Sequence, residues 1–310
     1  MYLLKKMDPI IKVSGLKKHY GNVKAVNGLD FSVVQGNLFA FLGPNGAGKS
    51  TTIDILCTFL KPDEGKVIID GHEIGKDDDK IRNSIGIIFQ QGLLDNLLTV
   101  RENLEARGSF YGLKGDKLKT TIDRAAANVG ITDLLDRQYG KLSGGQKRRA
   151  DISRALIHTP KILFLDEPTT GLDPQTRKSV WDTIRTLQKD TGLTVFMTTH
   201  YMEEATEADY VIVIDNGLIS ARGTPTEIKE KYAHDLIKLS AKDCYALSHI
   251  LDEMGVGYQR TGDVFLITLQ KTMDSLPILD KCRETIYGFE VTNGTMDDAF
   301  LEITGGGIRE

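Results

Sequence analysis

The sequence has little of what would staple a chain together or hold it in a membrane. It carries three cysteines in 310 residues, Cys57, Cys244 and Cys282, widely spaced and with no C-x-x-C pair. An odd number so placed argues against a disulfide framework and a zinc site. A reducing cytosol fits, and each thiol reads as a small buried hydrophobe. No stretch approaches the ~18–20 apolar residues of a spanning helix; Val211-Ile212-Val213-Ile214 and similar runs have strand length. The chain is therefore expected to form no pore, and any membrane role needs a partner. The start, Met1 to Lys6, is basic but has no apolar stretch of signal-peptide length behind it. There is no excess of positive charge either. Lys and Arg total 39 against 43 Asp and Glu, a net charge of −4, which gives no bulk field to hold nucleic acid.

What is present is ordinary for a globular protein. Hydrophobic residues make up 40% and charged residues 26%, with no internal repeat or low-complexity tract. The length allows one full-size domain and a smaller one, at roughly 100–200 residues per domain. The mixed-sign block Lys76-Asp77-Asp78-Asp79-Lys80 reads as a solvated loop.

Three blocks follow one another along the chain. Residues 10–90 read as strands with one helix. Segments 10–13 and 29–34 are short apolar or alternating runs bounded by Gly and Asn. Leu38-Phe39-Ala40-Phe41-Leu42 is a continuous apolar run, as in a strand buried on both faces. It enters a Gly-rich turn, after which 49–60 carries Ile53, Leu56 and Leu60 at helical spacing. Residues 91–158 read as helical, with segments 100–111, 118–129 and 146–158 rich in Arg, Ala, Leu and Glu. Strands at 162–165, 194–198 and 211–214 then alternate with helices at 176–189 and 202–208. That order implies an α/β class with a mostly parallel sheet under helices. Gly223-Thr224-Pro225 closes the block, and a helix is expected over 226–232. Beyond it, strands at 237–240, 264–269 and 289–292 and helices at 245–254, 276–285 and 296–303 describe a small α+β domain. In the last helix Met296, Ala299, Phe300 and Ile303 share one face. The expected division is 10–225, with its helical part at 91–158, and 226–310.

Three motifs carry chemistry. Gly43-Pro44-Asn45-Gly46-Ala47-Gly48-Lys49-Ser50 fits G-x-x-x-x-G-K-[ST]. A triphosphate is a dense anion, so the loop that holds it must offer backbone N–H groups without side chains in the way, which glycine permits. The following helix, from Lys49, Ser50 and Thr51 onward, aims its amides and dipole at the phosphates. Lys49 reaches the β- and γ-phosphates, and the Ser50 hydroxyl ligates Mg²⁺. Second, Ile162-Leu163-Phe164-Leu165-Asp166-Glu167 is an apolar strand tipped by two acids. Asp166 is placed to hold Mg²⁺ through water. Glu167 is the candidate for polarising the attacking water, as general base or as a positioning group. Third, Leu142-Ser143-Gly144-Gly145-Gln146 opens a basic helix, Lys147-Arg148-Arg149. It is a second anion site made of amides, dipole and a hydroxyl. One nucleotide does not need both loops from one chain, so this one is expected to serve a nucleotide on another copy.

These three motifs, in this order and spacing, resemble the nucleotide-binding subunit of ABC transporters over roughly residues 10–225. The resemblance implies a P-loop NTPase ABC cassette, with a mostly parallel core sheet, an antiparallel β subdomain and a helical subdomain. It implies ATP as substrate, Mg²⁺ as cofactor, and ATPase activity. Tyr20 is similar to the aromatic that stacks on adenine. Gln90, which follows the apolar run 85–89, is similar to the glutamine that senses Mg²⁺ and the attacking water; Gln91 beside it leaves an ambiguity of one residue. Asp173 in Gly171-Leu172-Asp173-Pro174 is similar to the segment crossing a dimer interface. His200, after Thr198-Thr199, is similar to the histidine that contacts the γ-phosphate. The implied mechanism is a head-to-tail pair, homodimer or heterodimer, with each ATP between the phosphate loop of one copy and Ser143, Gly145 and Gln146 of the other.

The implied partners are a second ATP-binding subunit and a separate transmembrane permease at the cytoplasmic face of the cell membrane, with no nucleic acid. The stretch Gly294-Thr295-Met296-Asp297-Asp298-Ala299-Phe300-Leu301-Glu302-Ile303-Thr304-Gly305 is similar to the tail of ABC-2 type exporter subunits, including the drug-resistance group. The runs 97–104 and 166–174 point the same way. A soluble ABC ATPase acting on DNA or ribosomes, or an import ATPase, is the alternative. Soluble types usually carry two cassettes, coiled coils or zinc-binding insertions, none of which this sequence has.

Overall fold

The computed structural model describes residues 9–305; the basic start read at Met1 to Lys6 lies outside them. The chain divides into two compact units between Arg222 and Gly223.

The first unit opens with a long hairpin, β1 (Pro9–Tyr20) and β2 (Val23–Val34), turning at Gly21, whose φ is 59°. These strands are far longer than segments 10–13 and 29–34. Register shifts between Val13 and Leu16, and again to Lys17, break the alternation that would mark one continuous strand. β3 (Leu38–Leu42) is buried at all five positions. α1 (Lys49–Leu56) stops short of Leu60, because Thr58 takes a left-handed φ of 63°. β4 (Glu64–Ile69) and β5 (His72–Glu73) complete a four-stranded antiparallel sheet ordered β2-β1-β4-β5. Part of the block expected as a loop is helical instead. α2 (Asp78–Ser84) begins inside it, since Asp78 and Asp79 complement the positive end of the helix and Asp78 accepts from the Gly75 amide at 2.6 Å.

β6 (Ile85–Ile88) leads to a helical region of α3 (Val100–Phe110), α4 (Gly115–Asn128) and α5 (Gly144–Leu156). Reciprocal capping starts α3 at Thr99 and Glu102, and α5 at Ser143 and Gln146. Then come β7 (Ile162–Asp166), α6 (Pro174–Thr191), β8 (Thr194–Thr199), α7 (Met202–Thr206), β9 (Tyr210–Asp215) and β10 (Leu218–Gly223). The sheet they form is ordered β10-β9-β3-β8-β7-β6, and β9-β3-β8-β7-β6 pair in parallel. Phe39, Phe41, Phe164 and Phe196 pack beneath it, centroids 5.1 to 5.7 Å apart, with Phe31 from the hairpin against them. Parallel pairing gathers the C-terminal ends of β3, β6, β7 and β8 at one edge, where α/β sheets bind ligands.

The second unit holds α8 (Pro225–Tyr232), β11 (Asp235–Ala241), α9 (Cys244–Glu253), β12 (Gln259–Thr261), β13 (Val264–Leu269), α10 (Ser275–Cys282), β14 (Ile286–Thr292) and α11 (Met296–Thr304). Its antiparallel sheet is ordered β12-β13-β11-β14. Ile237, Leu239, Leu247, Leu251, Phe265 and Ile267 are its core. β12 has no counterpart in the expected elements; its three residues are all exposed edge residues without an apolar pattern. Cys57 and Cys282 are buried as expected, whereas Cys244 is only partly covered, at the exposed start of α9.

Candidate active site

The loop between β3 and α1 is shaped by what cannot fit. A side chain at Gly43 would collide with the Ile214 carbonyl, and one at Gly48 with the Ala25 carbonyl. Gly48 also sits at φ 104°, a region glycine occupies at little cost. The Gly43 amide donates to the Thr199 carbonyl at 3.3 Å, which ties the loop to β8. Pro44 and Thr51 are half-buried, Ala47 is buried, and Asn45, Gly46 and Ser50 are exposed. Lys49 is 5% exposed. Its Nζ donates to the loop's own carbonyls, Gly43 at 2.6 Å and Pro44 at 3.0 Å. Burial lowers its pKa, against the opposing pull of Glu167 and Asp166. The loop thus offers open amides, a helix start and a buried cation, the cradle that a triphosphate requires.

β7 delivers the two acids. Thr198, opposite Asp166 on β8, donates its hydroxyl to Asp166 Oδ1 at 2.6 Å. Glu167 takes a left-handed φ of 45°, a strain on the order of 1–3 kcal/mol for a non-glycine residue. Two bonds to Thr198 hold it there: the Glu167 amide reaches the Thr198 carbonyl at 3.2 Å and hydroxyl at 3.3 Å. The turned carboxylate then lies between three groups. His200 Nδ1 is 3.1 Å from Oε1, Lys49 Nζ is 3.9 Å from Oε1, and the Thr170 hydroxyl donates to Oε2 at 3.3 Å. The His200 ring rests on Tyr201, centroids 4.0 Å apart, and the Arg177 guanidinium lies 4.4 Å over Tyr201. A carboxylate so placed can orient a water or take its proton.

Lys49, Asp166, Glu167 and His200 therefore come together in one place. Gln90 lies two residues past β6, whose Ile88 pairs with Leu165, so it is at the same edge of the sheet, and it is exposed. Tyr20 ends β1, opposite Val23, and is 51% exposed. Ser143, Gly145, Gln146 and Asp173 form a second cluster. The Ser143 amide donates to Gln146 Oε1 at 3.0 Å, and the Gln146 amide to Ser143 Oγ at 3.4 Å. Gly145 abuts Thr176, where a side chain would strike Cγ2, and the Thr176 amide donates to Asp173 Oδ1 at 3.0 Å. Among the described residues no group of three or more His, Cys, Asp or Glu could bind a metal. The oxygens of Ser50, Gln90 and Asp166 are instead the hydroxyl, amide and carboxylate donors that suit Mg²⁺, which keeps several waters.

Sequence reading missed the scaffold behind this site. Glu204 is 1% exposed, and its carboxylate accepts the Thr199 hydroxyl at 2.5 Å and the Thr169 hydroxyl. It joins the segment after Glu167 to the one before His200. The pair Glu203-Glu204 looks like the acidic first turn of a surface helix, and nothing local tells which glutamate turns inward. The doublet Thr198-Thr199 did hold a signal, because neighbours on a strand face opposite ways. One hydroxyl meets Asp166, the other Glu204.

A family model described as ABC transporter matches residues 26–170. The chain is 37% identical over 305 residues to the daunorubicin/doxorubicin resistance ATP-binding protein DrrA of Streptomyces peucetius, covering 95% of this chain and 92% of that one. It is 35% identical over 308 residues to the Nod factor export ATP-binding protein I of Ralstonia nicotianae, covering 97% and 96%. Among solved structures, a dimeric ATP-binding cassette in a post-hydrolysis state, bound to ADP and Pi, matches with a TM-score of 0.62 and 29% identity. That match covers 69% of this chain and 98% of the other.

Proposed function

The chain belongs to the ABC transporter family of ATP-binding subunits, and from that membership we propose that it hydrolyses ATP as one half of a paired engine that drives an ABC-2 type exporter. The observation that carries the hydrolytic part is the Glu167 carboxylate set between Lys49 and His200. Lys49 and the loop amides bind the β- and γ-phosphates, for which Lys49 must exchange its bonds to Gly43 and Pro44. Tyr20 offers its exposed ring to adenine. Glu167 polarises the attacking water, as base or as positioning group, and His200 contacts the γ-phosphate. The water oxygen bonds to the γ-phosphorus as the bond to the β–γ bridging oxygen breaks, leaving ADP and phosphate. Ser50, Gln90 and Asp166 would hold Mg²⁺, which when bound neutralises phosphate charge.

The second cluster gives the pairing. One nucleotide does not need both loops from one chain, so Ser143, Gly145 and Gln146 contact the one held by a second copy. Asp173 lies at that junction. The dimeric cassette with ADP and Pi supports this arrangement. Closure over two ATP molecules is a binding event, and separated, mutually repelling products reopen the pair. Among the described residues no helix is long and apolar enough to cross a membrane. The force acts on a separate transmembrane permease at the cytoplasmic face of the membrane. Relatives named for drug resistance and Nod factor export support the outward direction.

The test is a pull-down from detergent-solubilised native membranes, with the Glu167→Gln chain and ATP as bait. A polytopic membrane protein without ATPase motifs supports the exporter. Ribosomal or DNA-repair components, with no membrane protein, overturn it.

A further inference from the structure

Three basic side chains grip the free edge of β6. Arg148 Nη1 donates to the Phe89 carbonyl at 2.5 Å, and Arg154 Nη2 to the Ile87 carbonyl at 2.5 Å. His158 Nε2 is 2.8 Å from the Ile85 carbonyl. Residues 85, 87 and 89 alternate, so their carbonyls point to one edge of the strand. That edge faces away from β7, because β6 is the last strand of its sheet. All three side chains come from α5 or the turn after it. Arg148 and Arg154 are each 6% exposed, so these are interior contacts. Burial lowers the Arg148 guanidinium to about 10, which leaves it charged at neutral pH. Asp151 lies midway between them on the same helix face, 3% exposed, and accepts the Tyr139 hydroxyl at 3.1 Å. The chain beyond β6 returns to this face. A side chain at Gly92 would meet the Tyr139 hydroxyl at 2.5 Å and Asp151 Oδ2 at 3.1 Å.

One helix thus carries two things. Its N-terminus is the Ser143-Gly144-Gly145-Gln146 turn, and its flank holds the strand and loop that present Gln90. We infer that Arg148, aided by Arg154 and His158, is a positioning residue that fixes Gln90 to the Ser143–Gln146 turn, so that contact of this turn with a partner-held nucleotide is felt at Gln90 of the same chain. The inference rests on the reading of that turn given above. A stripe of carbonyls on a terminal strand is open to any donor; here the donors all come from the one helix whose start is a proposed nucleotide contact. A movement of α5 must carry residues 85–89 with it or break three partly buried hydrogen bonds.

The experiment is amide hydrogen exchange of the full chain in the Glu167→Gln background, with and without ATP. Size-exclusion chromatography of the same samples reports pairing. ATP is expected to slow exchange at the start of α5 and at residues 89–92 together. Arg148→Met combined with Asp151→Asn removes one buried cation and one buried anion, so the charge balance of the cluster is kept. In that variant protection at the start of α5 should persist while protection at 89–92 is lost. Arg148→Lys, which keeps a donor for the Phe89 carbonyl, should restore it. His158→Phe is a milder second variant that retains the ring stacked on Tyr111, centroids 4.2 Å apart, and removes only the Ile85 contact. Its expected loss is partial. Undiminished protection at 89–92 in both variants, or a lysine variant as uncoupled as the methionine one, overturns the inference. A Glu167→Gln chain that fails to pair with ATP shows instead that the reading of the turn is wrong, and the inference falls with it.

Discussion

The first unit has in its interior a lysine, two arginines, an aspartate and a glutamate: Lys49, Arg148, Arg154, Asp151 and Glu204, none more than 6% exposed. Among the described residues of the second unit the buried polar side chain is Ser275, whose hydroxyl donates to the Thr272 carbonyl at 2.5 Å. Backbone strain divides the same way. Among the described residues, the non-glycine ones with positive φ are Thr58, Asp70, Thr159, Glu167 and Asn216, all in the first unit. Burying charge and bending backbone both oppose folding. A unit that does both is held to those features by chemistry, whereas the second unit solves a packing problem around Phe265 and its neighbours. Perturbed, buried ionisable groups are accordingly where function concentrates.

The contrast is sharpened most by Glu167→Gln. Turnover should fall on the order of 10²–10⁴-fold, the usual loss for a general acid or base. ATP affinity should change little, as turnover assays beside equilibrium binding would show. Normal turnover would remove Glu167 from its role. Next is Phe265→Ala, which empties the second unit's core at a cost of roughly 3–5 kcal/mol. Calorimetry should show that unit melting earlier, with ATP affinity of the chain unmoved. A matching fall in affinity would break the division between a chemical and a packing unit. Glu204→Ala leaves two buried hydroxyls without their acceptor, at about 1–3 kcal/mol. Denaturant unfolding should report that loss, and Glu204→Gln a smaller one. Equal losses would mean the charge, rather than the acceptor oxygens, is what matters.

The smallest effect is at Lys49. Burial holds its pKa below 10.5, so the fold disfavours the charged form relative to the unfolded chain. That penalty is fully present below the folded value and fades as pH climbs toward 10.5. The nucleotide-free Lys49→Met chain should therefore melt slightly above the parent near neutral pH, with the gap closing as pH rises. A gap that widened would show Glu167 and Asp166 outweighing burial.

What the sequence disclosed follows from what constrains backbone. The phosphate loop was legible because Gly43 and Gly48 tolerate no substitute, and Asp166 because an apolar strand has to end somewhere visible. The long hairpin was hidden by its bulges, and β12 by being an exposed edge. The interior of α5 was hidden by its composition. Arg148 sits in Lys147-Arg148-Arg149, which looks like a solvated face, yet Arg148 is buried while its two neighbours are partly exposed. Glu204 was lost for the same reason: a charged residue announces a surface unless tertiary contacts say otherwise.

The left-handed turn at Glu167 bears on transplantation. Its amide is secured by Thr198, 31 residues later in the chain and on another strand. The hexapeptide Ile162-Leu163-Phe164-Leu165-Asp166-Glu167, moved into a foreign sheet, would bring both carboxylates and neither the partner that bends the backbone nor the histidine the bend is aimed at. The smallest portable piece of this site is a pair of adjacent strands, β7 and β8 with their exits, and a graft designed on less should relax into an ordinary surface glutamate.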